Sequence, residues 1–234
     1  MTTTWAAGGL LVAVPLAFNA AFALLAARFD YPDVLRRPTS EVLAAFRAGG
    51  SGLVLLWWGF AATAALMVPL VVLLSEVVAT DGGADPGLVT TATTIGVLAA
   101  LVQLLGLVRW PFLVPFLARA DAEPGASEAR KEAVDVVFQA FNRYLGVGVG
   151  EHLGYALTGI WSALIGVAML QAGTTPLWLG LLGIAVGGVL LLCSFEFVGR
   201  HEERGWKAAE RLTPVTYVVW SLWLIATGVA VLIA

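Results

Sequence analysis

The chain has 234 residues, of which 59% are hydrophobic and only 12% are charged. A soluble globular domain is nearer half apolar and a quarter charged, so this composition excludes an ordinary water-soluble protein and predicts an integral membrane protein. The formal net charge of −3 gives no basic surface for nucleic acid, and we predict no nucleic-acid partner.

Six apolar segments follow one another along the chain, each long enough to cross a hydrocarbon core of about 30 Å. We therefore predict an all-α fold, a polytopic membrane protein with a single bundle of six transmembrane helices. The first segment lacks the basic start of a signal peptide, so we interpret it as a retained helix. The predicted spans are residues 5–27, 48–75, 87–118, 147–170, 177–198 and 212–234.

A further helix is predicted outside the membrane, at residues 127–145. Its apolar residues recur at helical spacing, which is typical of an amphipathic helix lying at the membrane interface. Three glycines follow it, Gly146, Gly148 and Gly150, and they predict a turn of the chain into the fourth span. The apolar residues of this interfacial helix are Val134, Val137, Phe138, Phe141 and Leu145.

Positive charge is confined to three loops. Twelve of the thirteen Lys and Arg residues lie in residues 28–47, 119–143 and 199–211, and the thirteenth is Arg109. Basic residues in short loops are retained on the cytoplasmic side of a membrane. An even number of spans then predicts a multi-pass protein with both termini extracytoplasmic.

Three ionisable side chains lie beyond the loop edges, within apolar runs: Arg109, Glu151 and Glu196. Such groups cost about 2.5–3.5 kcal/mol in hydrocarbon on insertion scales, so they usually face a bundle interior and have a partner. Counted at about 1.5 Å per residue from the nearest basic flank, Arg109 and Glu151 lie at depths of about 15 and 12 Å. We expect these two to meet, with the third and fourth spans as neighbours. For Glu196, Arg200 at i+4 offers a simpler neutralisation at the interface.

The start of the fourth span carries two patterns at once. Gly146, Gly150 and Gly154 recur every four residues, which favours close approach of another helix. Glu151 and Tyr155 begin a polar face that continues down the same helix, and packing alone explains this face less well. We therefore predict a polar pocket in the cytoplasmic half of the bundle. The candidate pocket residues are Arg109, Glu151, His152, Tyr155, Glu196 and Asn142.

The sequence gives no signature of a metal or cofactor site. His152 and His201 are the only histidines, and they lack the spaced Cys, His or carboxylate partners that define a zinc or haem site. Cys193 is the only cysteine, so an intrachain disulfide is excluded and a small core residue is the natural interpretation. We predict no metal and no cofactor.

Two blocks of sequence resemble a known family. They are residues 106–115, GLVRWPFLVP, and residues 146–154, GVGVGEHLG, separated by a loop rich in Ala, Glu and Arg. Over roughly residues 96–172 the chain resembles bacterial membrane proteins of the domain-of-unknown-function family 4386. The resemblance implies a protein of the bacterial cell (inner) membrane, and it supplies no catalytic residue.

Three functions stay open from the sequence. The leading hypothesis is a non-enzymatic bundle that binds or moves a small molecule or proton through the pocket near Arg109, Glu151 and Tyr155. The second is a membrane enzyme acting on a lipid or headgroup, with Glu151 or His152 as general base. The third is a regulatory or scaffold protein whose polar residues serve only packing. The expected partners are the lipid bilayer and a small-molecule or lipid ligand.

Overall fold

The structure is a computed structural model that describes residues 2–80, 83–173, 175–202 and 204–233. Helices dominate these ranges, which contain no strand, and the predicted all-α class is confirmed. The α-helices are α1 (Thr2–Phe29), α2 (Thr39–Thr80), α3 (Pro86–Asp121), α4 (Glu128–Phe141), α5 (Gly154–Ala172), α6 (Leu177–Cys193) and α7 (Lys207–Ile233).

The helices are those of a multi-pass membrane protein. Within the described ranges, five helical stretches are long and apolar enough to cross a membrane, namely α1, α2, α3, α7 and the continuous stretch Glu128–Ala172. The sixth, α6, is apolar throughout and has 17 residues, the short end of the range for a crossing helix. The polytopic bundle of six apolar helices is therefore as predicted.

The six long helices form a closed ring. Each of α1, α2, α3, α5, α6 and α7 contacts the next one along the chain, apart from the interposed α4, and α7 returns to contact α1. Short connections between antiparallel helices give this arrangement directly, because consecutive elements have little chain with which to separate. The prediction that the third and fourth spans are neighbours is confirmed, since α3 contacts α5 and the segment that precedes it.

The chain does not turn at the glycines that follow residue 145. Instead, α4 continues through a π-helical segment, Asn142–Leu153, directly into α5. Gly146 and Gly150 lie against α3, and this contact supports the helical path that isolated glycines would weaken. The interfacial position of residues 127–145 stays a prediction.

Gly50 marks a break within α2. Its backbone has φ 55° and ψ −155°, so α2 consists of two helical pieces joined at this residue. A side chain is disfavoured at such a positive φ, and glycine is the residue that adopts it at least cost. The piece before Gly50 begins at Thr39 within the first basic loop, and the piece after it begins the second long apolar run.

Two hydrophobic clusters fill the bundle, one towards each end. The cluster at the end that carries the basic loops is aromatic, and at its centre Trp57 and Trp110 stack with ring centroids 4.3 Å apart. Helix α4 contributes Val134 and Phe138 to this cluster. Its apolar face is therefore docked on the bundle, which fixes the beginning of the π-helical segment relative to α3.

Candidate functional site

Arg109 lies inside the bundle on α3 and is only 9% exposed. Its guanidinium donates to the backbone oxygen of Gly106 and, over 3.1 Å, to Oδ1 of Asn142. The guanidinium carbon lies 5.4 Å from the ring centroid of Trp110. A Cβ on Gly146 would lie 2.7 Å from Nη2 of Arg109, so the guanidinium occupies space that glycine leaves free.

Arg109 does not form the expected ion pair with Glu151. Across the described part of the chain, no carboxylate lies within ion-pairing distance of this guanidinium. An amide oxygen and a carbonyl oxygen accept its hydrogen bonds instead. The depth argument assumed α-helical geometry in both spans, whereas Glu151 belongs to the π-helical segment, whose wider turn changes the direction of each side chain.

The contact between Arg109 and Asn142 predicts a measurable coupling. Asn142→Leu should lower the free energy of unfolding by about 1.5–3 kcal/mol, because it removes a hydrogen bond to a buried charged group. A double-mutant cycle with Arg109→Met should give a coupling energy of similar size in detergent unfolding. The same cycle with the exposed Tyr144→Leu serves as control and should give a coupling near zero. Additive effects of the first pair would contradict the assigned contact.

The glycine stripe of the π-helical segment is a packing surface for α3. A Cβ on Gly106 would lie 2.8 Å from the Cα of Gly150, and a Cβ on Gly154 would lie 3.1 Å from Cγ of Gln103. Small residues permit this close approach in membranes, where van der Waals packing drives helix association. The helix that approaches this stripe is therefore α3.

The lower part of the polar face on α5 is also used for packing. Gln103 donates from Nε2 to Oγ1 of Thr158 over 3.0 Å, and Trp220 donates from Nε1 to Oγ of Ser162 over 2.9 Å. These hydrogen bonds link α5 to α3 and α7. The polar groups that remain available for binding or catalysis on this face are therefore those at its beginning, near Glu151 and Tyr155.

A cavity of about 150 Å³ lies between the π-helical segment and the turn that follows α6. Glu151, His152, Tyr155 and Glu196 all line it, so four of the six candidate residues come together. Arg109 and Asn142 are not among the lining residues. The remaining lining residues are Val147, Gly148, Cys193, Ser194, Phe197 and Val198.

His152 is held in place across the cavity by the end of α6. Its Nδ1 lies 2.7 Å from the backbone oxygen of Ser194. A carbonyl oxygen can only accept, so Nδ1 carries a proton and Nε2 is the nitrogen left for other chemistry. His201 lies elsewhere, with Arg200 as its partner, and no described group of three His, Cys, Asp or Glu side chains is placed to hold a metal ion.

Glu196 lies beyond the end of α6, which stops at Cys193. The i+4 relation to Arg200 is therefore not a helical one, and Glu196 forms no ion pair with any described residue. The cavity thus has one carboxyl group on each of its two walls, Glu151 and Glu196.

Two tyrosines near the site were missed by sequence reasoning. Tyr217 on α7 packs against Tyr155 with ring centroids 5.3 Å apart. Tyr31, in the first basic loop, packs edge-on against Trp57 at 5.0 Å. Burial raises the pKa of Tyr31 to about 12, and the carboxyl group of Glu151 contributes to this shift, so the phenol stays protonated. Because Tyr31 lies among basic residues in a loop, the sequence did not indicate that its side chain is buried. Its burial results from the tertiary contact with Trp57.

A second, more open cavity of about 570 Å³ lies on the surface between the start of α2 and α4. Thr39 bridges its walls by donating to Asp135 and accepting from Gln139. Asp121, at its edge, is paired with Arg47 over 3.0 Å. These contacts dock α4 on the bundle.

Comparison with known families identifies the family to which the chain belongs. The sequence profile of the family described as "Domain of unknown function (DUF4386)" matches residues 6–228, nearly the whole chain. The protein belongs to this family, and the match extends well beyond the region in which the two sequence blocks suggested it. No curated protein matches the chain, and no solved structure matches it either.

Proposed function

We propose that this member of the DUF4386 family is a non-enzymatic membrane bundle that binds or moves a small molecule or proton through the cavity beside Glu151. One observation carries the proposal: two carboxyl groups, an imidazole and a phenol line a single cavity within the bundle. Ionisable groups within a membrane protein are costly, and they mark substrate, ion or proton paths by default.

The size of the cavity favours a small occupant over a lipid headgroup. At about 30 Å³ for each water molecule, 150 Å³ holds about five waters or one solute of a few heavy atoms. Pockets for drug-sized ligands have about 300–1,000 Å³. An enzyme acting on a lipid or headgroup, with Glu151 or His152 as base, needs more room than this and is the weaker proposal.

The proposed setting is the inner membrane of a bacterium, with the basic loops in the cytoplasm and both termini outside. The charge distribution supports this orientation, and it puts the cavity in the cytoplasmic half of the bundle. Cysteine labelling tests it: a membrane-impermeant thiol reagent should fail to label a cysteine introduced at Gly125 in intact cells. Rapid labelling there would reverse the orientation.

A matched pair of variants tests the cavity. Gly148 lines the cavity, and a Cβ on it would have no neighbour closer than 3.7 Å, so Gly148→Leu should fill the cavity without breaking the fold. Gly188→Leu adds the same side chain on the outer face of α6, where nothing lies within 4 Å. Native mass spectrometry of gently extracted protein should show a small solute on the wild type and on the Gly188 variant but not on the Gly148 variant.

Proton movement has its own readout with the same three proteins. In proteoliposomes that contain a pH-sensitive dye, an acid pulse outside should acidify the lumen faster with the wild type and Gly188→Leu than with Gly148→Leu. If neither solute binding nor acidification differs between the two variants, the proposal is wrong. A bound lipid that disappears only from Gly148→Leu would favour the lipid-directed enzyme instead.

A further inference from the structure

The cavity is acidic in composition, with two carboxyl groups among its lining residues. Glu151 and Glu196 line it from opposite walls, and no Lys or Arg is a lining residue. Neither carboxyl group forms an ion pair within the part of the chain that the structure describes. An anionic solute would meet two carboxyl groups here, whereas a cation would gain the direct ion pair that Glu151 and Glu196 lack.

The remaining walls are aromatic and aliphatic. The rings of Tyr155 and Phe197 line the cavity, together with the side chains of Val147 and Val198. Aromatic faces attract cations electrostatically, and apolar walls favour a cation that carries alkyl groups over one that carries a hydration shell. The C-terminus of α6, the negative end of its helix dipole, also meets the cavity at Cys193 and Ser194.

A metal ion fits this site poorly. Metal coordination needs several converging donors, and within the described ranges no group of three His, Cys, Asp or Glu side chains is placed for it. His152 would offer a metal one such donor, Nε2, since its Nδ1 donates to the carbonyl of Ser194. The cavity volume of about 150 Å³ suits an organic ion of a few heavy atoms, methyl groups included.

We infer that the cavity selects a small organic cation of the alkylammonium class, held by Glu151 and Glu196 and packed against the rings of Tyr155 and Phe197. This inference rests on the proposed function, because it names the class of solute that the same cavity takes. Glu151 provides charge at the π-helical wall, Glu196 provides it at the wall formed by the turn after α6, and the rings exclude the hydrated inorganic cations.

Isothermal titration of the full-length protein in detergent tests the inference with three probes of similar shape. Choline is the cation, 3,3-dimethyl-1-butanol is its neutral carbon analogue, and 3,3-dimethylbutyrate is an anion of the same skeleton. Choline should bind at least tenfold more tightly than the alcohol, and the anion should not bind measurably. Sodium chloride at the same concentration corrects for ionic strength.

Isosteric variants locate the charge that is responsible. Glu151→Gln and Glu196→Gln should each weaken choline binding at least tenfold and leave binding of the alcohol within about twofold. Glu41→Gln, at an exposed position on the first piece of α2, is the control and should leave both affinities unchanged. The melting temperature without ligand and the gel-filtration profile identify any variant that fails to fold. If one glutamate variant fails to fold, choline binding by the other one tests whether the carboxyl groups hold the cation.

The outcomes separate this inference from the function on which it rests. Equal binding of choline and the alcohol would overturn the cation inference and leave a solute-binding cavity intact. Absence of choline binding would also overturn it, and the proposed function would still stand if Gly148→Leu removed a co-purifying solute or slowed acidification. Absence of every one of these effects would overturn both.

Discussion

Replacement of Trp57 by alanine is expected to lower the free energy of unfolding by about 3–5 kcal/mol, the range typical of a buried large aromatic side chain. Trp57 is fully buried and stacks on Trp110, with 8° between the ring planes. Tyr31 and Phe29 pack edge-on against the same ring. The substitution would therefore open a void at the centre of the aromatic cluster and remove a specific stacking interaction.

Trp58 provides a matched control, because it is the next residue on the same helix and is 56% exposed. Trp58→Ala should change the free energy of unfolding by less than about 1 kcal/mol. Unfolding in mixed micelles at increasing SDS fraction, followed by circular dichroism, gives both values. Comparable losses in the two variants would show that the aromatic cluster is not the packed centre that we describe.

The fold was largely predictable because a bilayer leaves few solutions. Backbone groups in hydrocarbon must be hydrogen-bonded internally, so each apolar run of sufficient length becomes a helix. The ends of α3, at Pro86 and Asp121, lie close to the predicted span 87–118, because charged residues near Asp85 and Arg119 mark the ends of the apolar run. The helices extend beyond the predicted spans: α7 begins at Lys207, within the third basic loop, because a helix can extend into water without cost to its hydrogen bonds.

The candidate site was predictable in composition and not in geometry. Glu151 and Glu196 were identified from their depth in apolar runs, and Tyr155 was identified from its spacing on a polar helix face. Both glutamates and Tyr155, together with the candidate His152, line one cavity in the structure. The partner of Arg109 was missed, because nothing in a sequence of glycines and valines signals that residues 142–153 adopt π-helical rather than α-helical turns. Tyr31 was missed for a related reason: its burial depends on a tertiary contact with Trp57.

The π-helical segment connects packing with chemistry. On one side Gly146 and Gly150 let α3 approach, and on the other Glu151 and His152 line the cavity. Segments of this kind are rare and occur frequently at functional sites, where the wider turn redirects side chains. Here the same segment that lets α3 approach also carries a carboxyl group that lines the cavity and forms no ion pair with Arg109, so the site depends on the packing of the bundle.

Glycine contacts also hold α5 against α6. Gly159 faces Gly187. Seven residues away on each helix, Gly166 faces Gly180. A Cβ on Gly187 would lie 2.4 Å from the backbone oxygen of Gly159 and 2.8 Å from the backbone nitrogen of Ala163. Neither backbone atom can move alone, so even an added methyl group would force the two helices apart.

Gly187→Ala should therefore lower the free energy of unfolding by about 3 kcal/mol, the upper part of the range for overpacking, because contacts along both helices weaken together. Gly188→Ala is the matched control, since a Cβ on Gly188 would have no neighbour within 4 Å. Alanine is the better helix former by about 1 kcal/mol, so the control should be neutral or slightly stabilising. SDS titration of both variants measures the difference, and a loss below about 1 kcal/mol for Gly187→Ala would show that α5 and α6 are not in such close contact.

Gly159→Ala tests the same contact from the opposite helix, because a Cβ there would lie 2.5 Å from the backbone oxygen of Gly187. It should destabilise the protein by an amount similar to Gly187→Ala. The double variant should lose clearly less than the sum of the two single losses, since the first methyl group already separates the helices and makes room for the second. Strictly additive losses would mean that each methyl group meets its own obstacle, and the two glycines would then not face one another across a single contact.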